Sequence, residues 1–230
     1  MIEEVVREHW RDERWHQVIR LVVAEREPQT ETVRGVIRFL LGQDSRRARM
    51  TNVYLAADCV SDLRNPMVLG EDRGALIRAV WAGLEYRLDV FPLAPEEYGW
   101  EIRARVAGVT RLAALVGLPA LRQVLANPQY DSAVKAAAVQ EIARGWASDP
   151  ETLPLLKDLA RSDQDSNVRW AAVRELARGW ASDPETLPWL KDRARSDPDS
   201  YVRRAAVQEL VRGWPDDPDT QELQRRAQNE

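Results

Sequence analysis

The chain has 230 residues, 44% of them hydrophobic and 30% charged, so it is long and apolar enough to bury a sizeable core and is not a disordered polymer. Acidic residues outnumber basic ones by 37 to 33, which leaves no global basic field to draw in nucleic acid or an anionic membrane surface. The single cysteine, Cys59, excludes an internal disulfide framework, and no apolar run approaches the ~20 residues of a membrane span.

Charged Glu3 and Glu4 follow Met1 almost at once, so no secretory signal is expected and the expected location is cytoplasmic. Residues 2–10 read as a short helix ending at Trp10, before the polar break Arg11-Asp12-Glu13. Residues 13–25 carry Trp15, Val18, Ile19, Val22 and Val23 at helical spacing and stop before Pro28. Residues 30–42 repeat the pattern with Val33, Val36, Ile37, Leu40 and Leu41, and residues 51–63 with Val53, Leu55, Ala56, Cys59 and Val60. Asn65-Pro66 opens a loop to about Asp72, and residues 73–90 form a helix on Leu76, Ile77, Val80, Trp81 and Leu84. Two prolines in Phe91-Pro92-Leu93-Ala94-Pro95 deny helix and mark the best internal boundary. No segment alternates with a strand period. The expected fold is all-α, an N-terminal helical array over residues 1–95 and a solenoid over 96–230.

The solenoid is read from a repeat. Ala143-Arg144-Gly145-Trp146-Ala147-Ser148-Asp149-Pro150-Glu151-Thr152 returns as Ala177 to Thr186 and, frayed, as Val211-Arg212-Gly213-Trp214 to Thr220. Trp146, Trp180 and Trp214 stand 34 residues apart. A fixed period of that size means units that bury their apolar faces only against neighbours. Ser132, Ser166 and Ser200 are expected as N-caps of one helix per unit. Gly145, Gly179 and Gly213 are expected to end that helix in the left-handed conformation. Asp149-Pro150, Asp183-Pro184 and Asp217-Pro218 signal the next start, which Pro154 and Pro188 should bend or delay. The tryptophans are expected to be buried between units.

Tetratricopeptide repeats share this period but want Trp, Leu, Gly and Tyr inside their first helix, whereas Gly-Trp here lies at a helix end. Val168-Arg169-Trp170-Ala171-Ala172-Val173 and Val202-Arg203-Arg204-Ala205-Ala206-Val207, with Asp163 and Asp197 before them, resemble the HEAT repeat with its loop Asp, Val-Arg pair and small-residue second helix. Val134-Lys135-Ala136-Ala137-Ala138-Val139 is the same with Lys for Arg. The resemblance is clear from about residue 127 and decays before it, where Val106, Val109 and Leu112 open a divergent unit. Glu8 to Leu21 and Leu55 to Asn65 look like two stretches of the helical region that follows the NTPase core in bacterial, notably cyanobacterial, NACHT proteins. In that family HEAT repeats with Arg-Gly-Trp and Asp-Pro-Glu-Thr signatures follow. The resemblance implies a sensor-like arm whose partner is a protein, either a NACHT NTPase or its target. The sequence holds no G-x-x-x-x-G-K-[ST] loop, so nucleotide hydrolysis is not carried over.

Catalytic and metal readings find little support. His9 and His16 fall on different helices and are the only histidines, while a catalytic zinc needs three protein ligands. Cys59 lies on an apolar face and reads as a buried structural thiol. No cofactor and no catalytic residue is expected. The candidates for protein contact are on the second helices. Lys135/Arg169/Arg203, Gln140/Arg174/Gln208 and Arg144/Arg178/Arg212 stack in register. They read either as self-neutralised pairs, with Asp131, Asp165 and Asp199 four residues before Lys135, Arg169 and Arg203 and Glu141, Glu175 and Glu209 three before Arg144, Arg178 and Arg212, or as a ligand-facing row. Ala136, Trp170 and Arg204 differ between otherwise similar copies, and Trp170 and Arg204 are expected to be exposed. The expected function is non-catalytic protein recognition through Trp170, Arg204, Arg169, Arg203 and Arg174. The alternative is a bilin lyase or lyase chaperone, since those proteins also resemble HEAT arrays.

Overall fold

The computed structural model describes residues 2–45, 48–85 and 95–229. Among them are thirteen α-helices, one 3-10 turn and no strand, so the protein is all-α. Contacts divide the chain into two compact units, Met1–Ala120 and Leu121–Glu230.

The first unit contains α1 (Ile2–His9), α2 (Glu13–Glu25), α3 (Thr30–Leu41), α4 (Thr51–Ser61), a 3-10 turn at Pro66–Leu69, α5 (Glu71–Leu84) and α6 (Pro95–Leu115). The break between α1 and α2 is a cap. Asp12 accepts a hydrogen bond from the Arg14 amide at 3.1 Å and satisfies a donor that the first turn leaves orphaned. Helix α4 packs against α2, α3, α5 and α6. It is buried along most of its length, from Asn52 to Ala57 and again at Cys59 and Val60. Burial pushes the Cys59 thiol up to about 12, which keeps it an inert core residue. Helix α6 is tied to this unit by main-chain acceptors and charge. Tyr54 donates to the Ala104 carbonyl at 2.6 Å, Arg105 to the Leu84 carbonyl at 2.8 Å, and Arg111 pairs with Asp58 at 2.8 Å. The division between the units therefore follows α6, between Ala120 and Leu121. The boundary expected at Phe91 to Pro95 lies almost wholly outside the described residues, as does the expected end of α5 at residue 90; α5 closes at Leu84.

After α7 (Leu118–Ala126), the second unit runs through α8 (Ser132–Gly145), α9 (Thr152–Ser162), α10 (Ser166–Gly179), α11 (Thr186–Ser196), α12 (Ser200–Gly213) and α13 (Pro218–Asn229). Helices α8, α10 and α12 pack in succession, and α9, α11 and α13 lie against their flanks. Small residues allow this close approach. Ala171, Ala172, Ala177 and Ala206 join Val139, Leu156, Val168, Leu176, Leu190 and Leu210 in one buried cluster.

Four local expectations are corrected. The caps are Asp131, Asp165 and Asp199, each accepting from backbone amides two or three residues on, and the serines are the first helical residues. A carboxylate placed one residue earlier reaches those amides and also complements the helix dipole. Gly145, Gly179 and Gly213 are the last helical residues with negative φ; the tryptophans after them occupy the C-cap, their amides donating to Ile142, Leu176 and Leu210. Trp146, Trp180 and Trp214 are half-buried, with Trp180 and Trp214 packed on the edge of the core cluster. The helices after Asp149 and Asp183 start at Thr152 and Thr186, so Pro154 and Pro188 fall in a first turn whose amides need no intrahelical partner.

Candidate functional site

The arginine row on the second helices separates into three environments. Arg169 is 7% exposed, and its guanidinium forks onto the carboxylate of Asp197, which is 2% exposed, at 3.0 and 3.1 Å. Its Nη1 also donates to the carbonyls of Asp163 and Gln164. Arg169 thus clamps the loop of its own repeat to the loop of the next, and its expected place on a contact surface is corrected. The Val-Arg spacing turns the arginine toward the inter-repeat loops while the valine enters the core, and Asp197 of the next loop then encloses it. The expected pairing of Arg169 with Asp165 gives way because Asp165 is engaged as the cap of α10.

Glu209 is the second environment. Its nearly buried carboxylate receives Arg178 at 2.8 Å, Arg212 at 2.6 Å and Arg174 at 3.6 Å. Burial alone would raise its pKa, but hydrogen bonds from Arg212 and Arg178 outweigh that and hold it below the ordinary glutamate value. Arg174 also lies over the Trp170 ring, 4.3 Å from its centre. Trp170 is half-buried and packed against the core cluster, so its expected full exposure is corrected.

Arg203 and Arg204 form the third environment. Arg203 is half-buried and donates through Nη1 to the carbonyls of Asp197 (3.0 Å) and Pro198 (3.2 Å). Among the described residues no carboxylate lies within ion-pair distance of Arg203 or Arg204. Arg204 is exposed, 6.0 Å from the ring of Tyr201, which is itself 73% exposed. Both arginines line a cavity of about 180 Å³ between α11, α12 and α13, together with Arg195, Ser200 and Arg226.

The structure thus brings Trp170 together with Arg174, and Arg203 with Arg204, and removes Arg169 from the surface. Tyr201, Arg195 and Arg226 were not singled out by the sequence reading. The signal was present: Tyr201 stands where the other copies have Ala133 and Asn167, and Arg226 where they have Asp158 and Asp192.

Residues 118–211 match the family model of HEAT repeats. This part of the chain resembles HEAT repeats. No curated protein and no solved structure shows a significant match to the chain. The matched segment takes in α7 to α11 and most of α12, and with them the Arg169 clamp and most of the Glu209 cluster. Such repeats share one backbone plan, so what distinguishes the copies is the side chains that differ between them. Among the described residues no group of three or more His, Cys, Asp or Glu side chains is arranged to hold a metal, and no described helix is long and apolar enough to cross a membrane. His9 stacks on Trp15 at 3.9 Å, and His16 Nε2 meets the Trp10 carbonyl at 2.9 Å, so both histidines serve packing between α1 and α2.

Proposed function

We propose that the chain is a protein-recognition module that binds without catalysing, with its contact surface centred on Tyr201 and Arg204 of α12 and continued by Trp170 and Arg174 on α10. One observation carries this reading. At positions 201 and 204 the third copy exposes a tyrosine and an arginine, where copies that agree along most of the helix have Ala133 and Ala136, or Asn167 and Trp170. Aromatic and arginine side chains dominate interface energies because they give large contact area with few rotors and several donors. Tyr201→Ala combined with Arg204→Glu removes two exposed groups and no packed one. The double variant should melt with the wild type and bind a purified partner at least ~10-fold more weakly. Equal binding by the variant places the surface elsewhere, the N-terminal helices being the next candidate.

The narrower reading is the sensor-like arm of a NACHT-type signalling NTPase. It is supported by the resemblance of residues 8–21 and 55–65 and by the Arg-Gly-Trp and Asp-Pro-Glu-Thr signatures. In this reading the purified chain hydrolyses no ATP, associates with such an NTPase and changes that enzyme's ATPase rate. A chain that neither binds the NTPase nor alters its turnover overturns it.

A further inference from the structure

The first and third copies leave a cavity beside their second helix, of about 380 and about 180 Å³, and line it differently. In the first copy Lys135, Leu155, Asp158 and Leu159 line the cavity with Asp163, so the cation faces carboxylates. In the second, Arg169 is taken up by Asp197, while Trp170 and Trp189 pack onto the core. In the third, Arg226 replaces the aspartate of the other two, Arg204 replaces Ala136 and Trp170, and Ala227 replaces Leu159 and Arg193. The result is the cavity of about 180 Å³, whose nine lining residues include four arginines and no carboxylate.

The arginines differ in how committed they are. Arg203 is held by two main-chain carbonyls, which fixes the plane of its guanidinium and leaves Nε and Nη2 to point elsewhere. Among the described residues Arg204 makes no ion pair. Arg195 meets Asp219 at 3.6 Å and Arg226 meets Glu222, both in pairs about half open to water. Exposed pairs of this kind hold their partners weakly, so both guanidiniums can turn to a better acceptor at little cost. Planar forks converging with the Ser200 hydroxyl suit a tetrahedral oxyanion, and a doubly charged one gains most from an acid-free site.

We propose that this pocket is a binding site for a phosphate monoester, borne by a phosphorylated serine or threonine of a protein partner. The protein carrier rests on the recognition reading above; the anion site does not. The exposed Tyr201 beside Arg204 gives the flanking peptide a surface at the rim.

The test titrates the full chain, at fixed ionic strength, with a short phosphoserine peptide, its serine and glutamate counterparts, and inorganic phosphate, followed by calorimetry. The phosphopeptide should bind at least about 10-fold more tightly than any of the other three. Arg226→Asp restores the residue of the other copies, so it should keep the fold and weaken phosphopeptide binding at least about 10-fold. Arg204→Ala is the second variant should the first melt early, with the same loss expected. Arg144→Glu, an exposed reversal on α8, should change nothing. Equal affinity for the glutamate peptide, or equal losses in Arg144→Glu and Arg226→Asp, overturns the site in favour of bulk charge. Inorganic phosphate binding as tightly as the phosphopeptide overturns the protein carrier. A wild type that binds its partner but no phosphopeptide overturns the pocket and leaves recognition standing. Phosphopeptide binding with no protein partner does the reverse.

Discussion

The guanidinium of Arg169 and the carboxylate of Asp197, 28 residues apart in sequence, meet edge to edge at 3.0 and 3.1 Å in a site closed to solvent. Both groups have further partners. Arg169 donates to two carbonyls, and Asp197 accepts from the amide of Asp199 at 2.9 Å. A buried pair so fully satisfied locks register between neighbouring repeats rather than adding much net energy.

Removing one partner exposes that role. Asp197→Ala should cost about 3–5 kcal/mol, because it strands a buried guanidinium. Arg203→Ala, at the matching position of the next copy but with no carboxylate to strand, should cost about 1 kcal/mol. Urea denaturation of the two variants checks the difference, and equal costs would mean that the clamp is not special.

Acid should act on Glu209. Its carboxylate titrates below the ordinary glutamate value of 4.5 when folded and at that value when unfolded. Its contribution is therefore fully present above pH 4.5 and is lost as the pH falls from there through the lower folded pKa. Glu209→Gln should flatten that part of the stability curve. An unchanged acid limb places the acid sensitivity in other carboxylates, such as Asp72 between Arg34 and Arg38.

Glycines in the first unit should respond with opposite signs. A Cβ at Gly108 would stand 2.8 Å from Leu84 Cδ2 and 3.1 Å from Tyr54 Oη, both in the core. Gly108→Ala should therefore destabilise by about 1–2 kcal/mol despite the gain in helix propensity. At Gly74 the nearest atom is the tip of Arg78 at 3.5 Å, and Gly74→Ala should stabilise by about 0.5–1 kcal/mol. Thermal melts of the pair read both signs at once.

Trp180 is only half-buried, so Trp180→Ala should cost about 2–3 kcal/mol, below the range for a fully enclosed tryptophan. Leu190→Ala, in a site with no exposure, should cost at least as much from a smaller side chain, about 3–4 kcal/mol. A reversed order of urea midpoints would show that the tryptophans carry the stack.

The 34-residue spacing of Trp146, Trp180 and Trp214 and the helical spacing of the apolar residues were enough to place most helices to within a few residues. Periodicity is a local property, and each repeat buries its face against a near copy of itself, so that part of the fold is written along the chain. The sequence also located the variable positions, Trp170 and Arg204 among them. Which arginines stay at the surface was decided by tertiary structure alone. Arg169 and Arg203 occupy equivalent positions with the same local pattern, yet one is enclosed by a carboxylate 28 residues away and the other opens into a cavity. The acid-free pocket likewise depends on α11, α12 and α13 converging, since Arg195, Arg204 and Arg226 lie on three helices. Such an environment is set by where other parts of the chain come to rest, and no window of neighbouring residues contains that information.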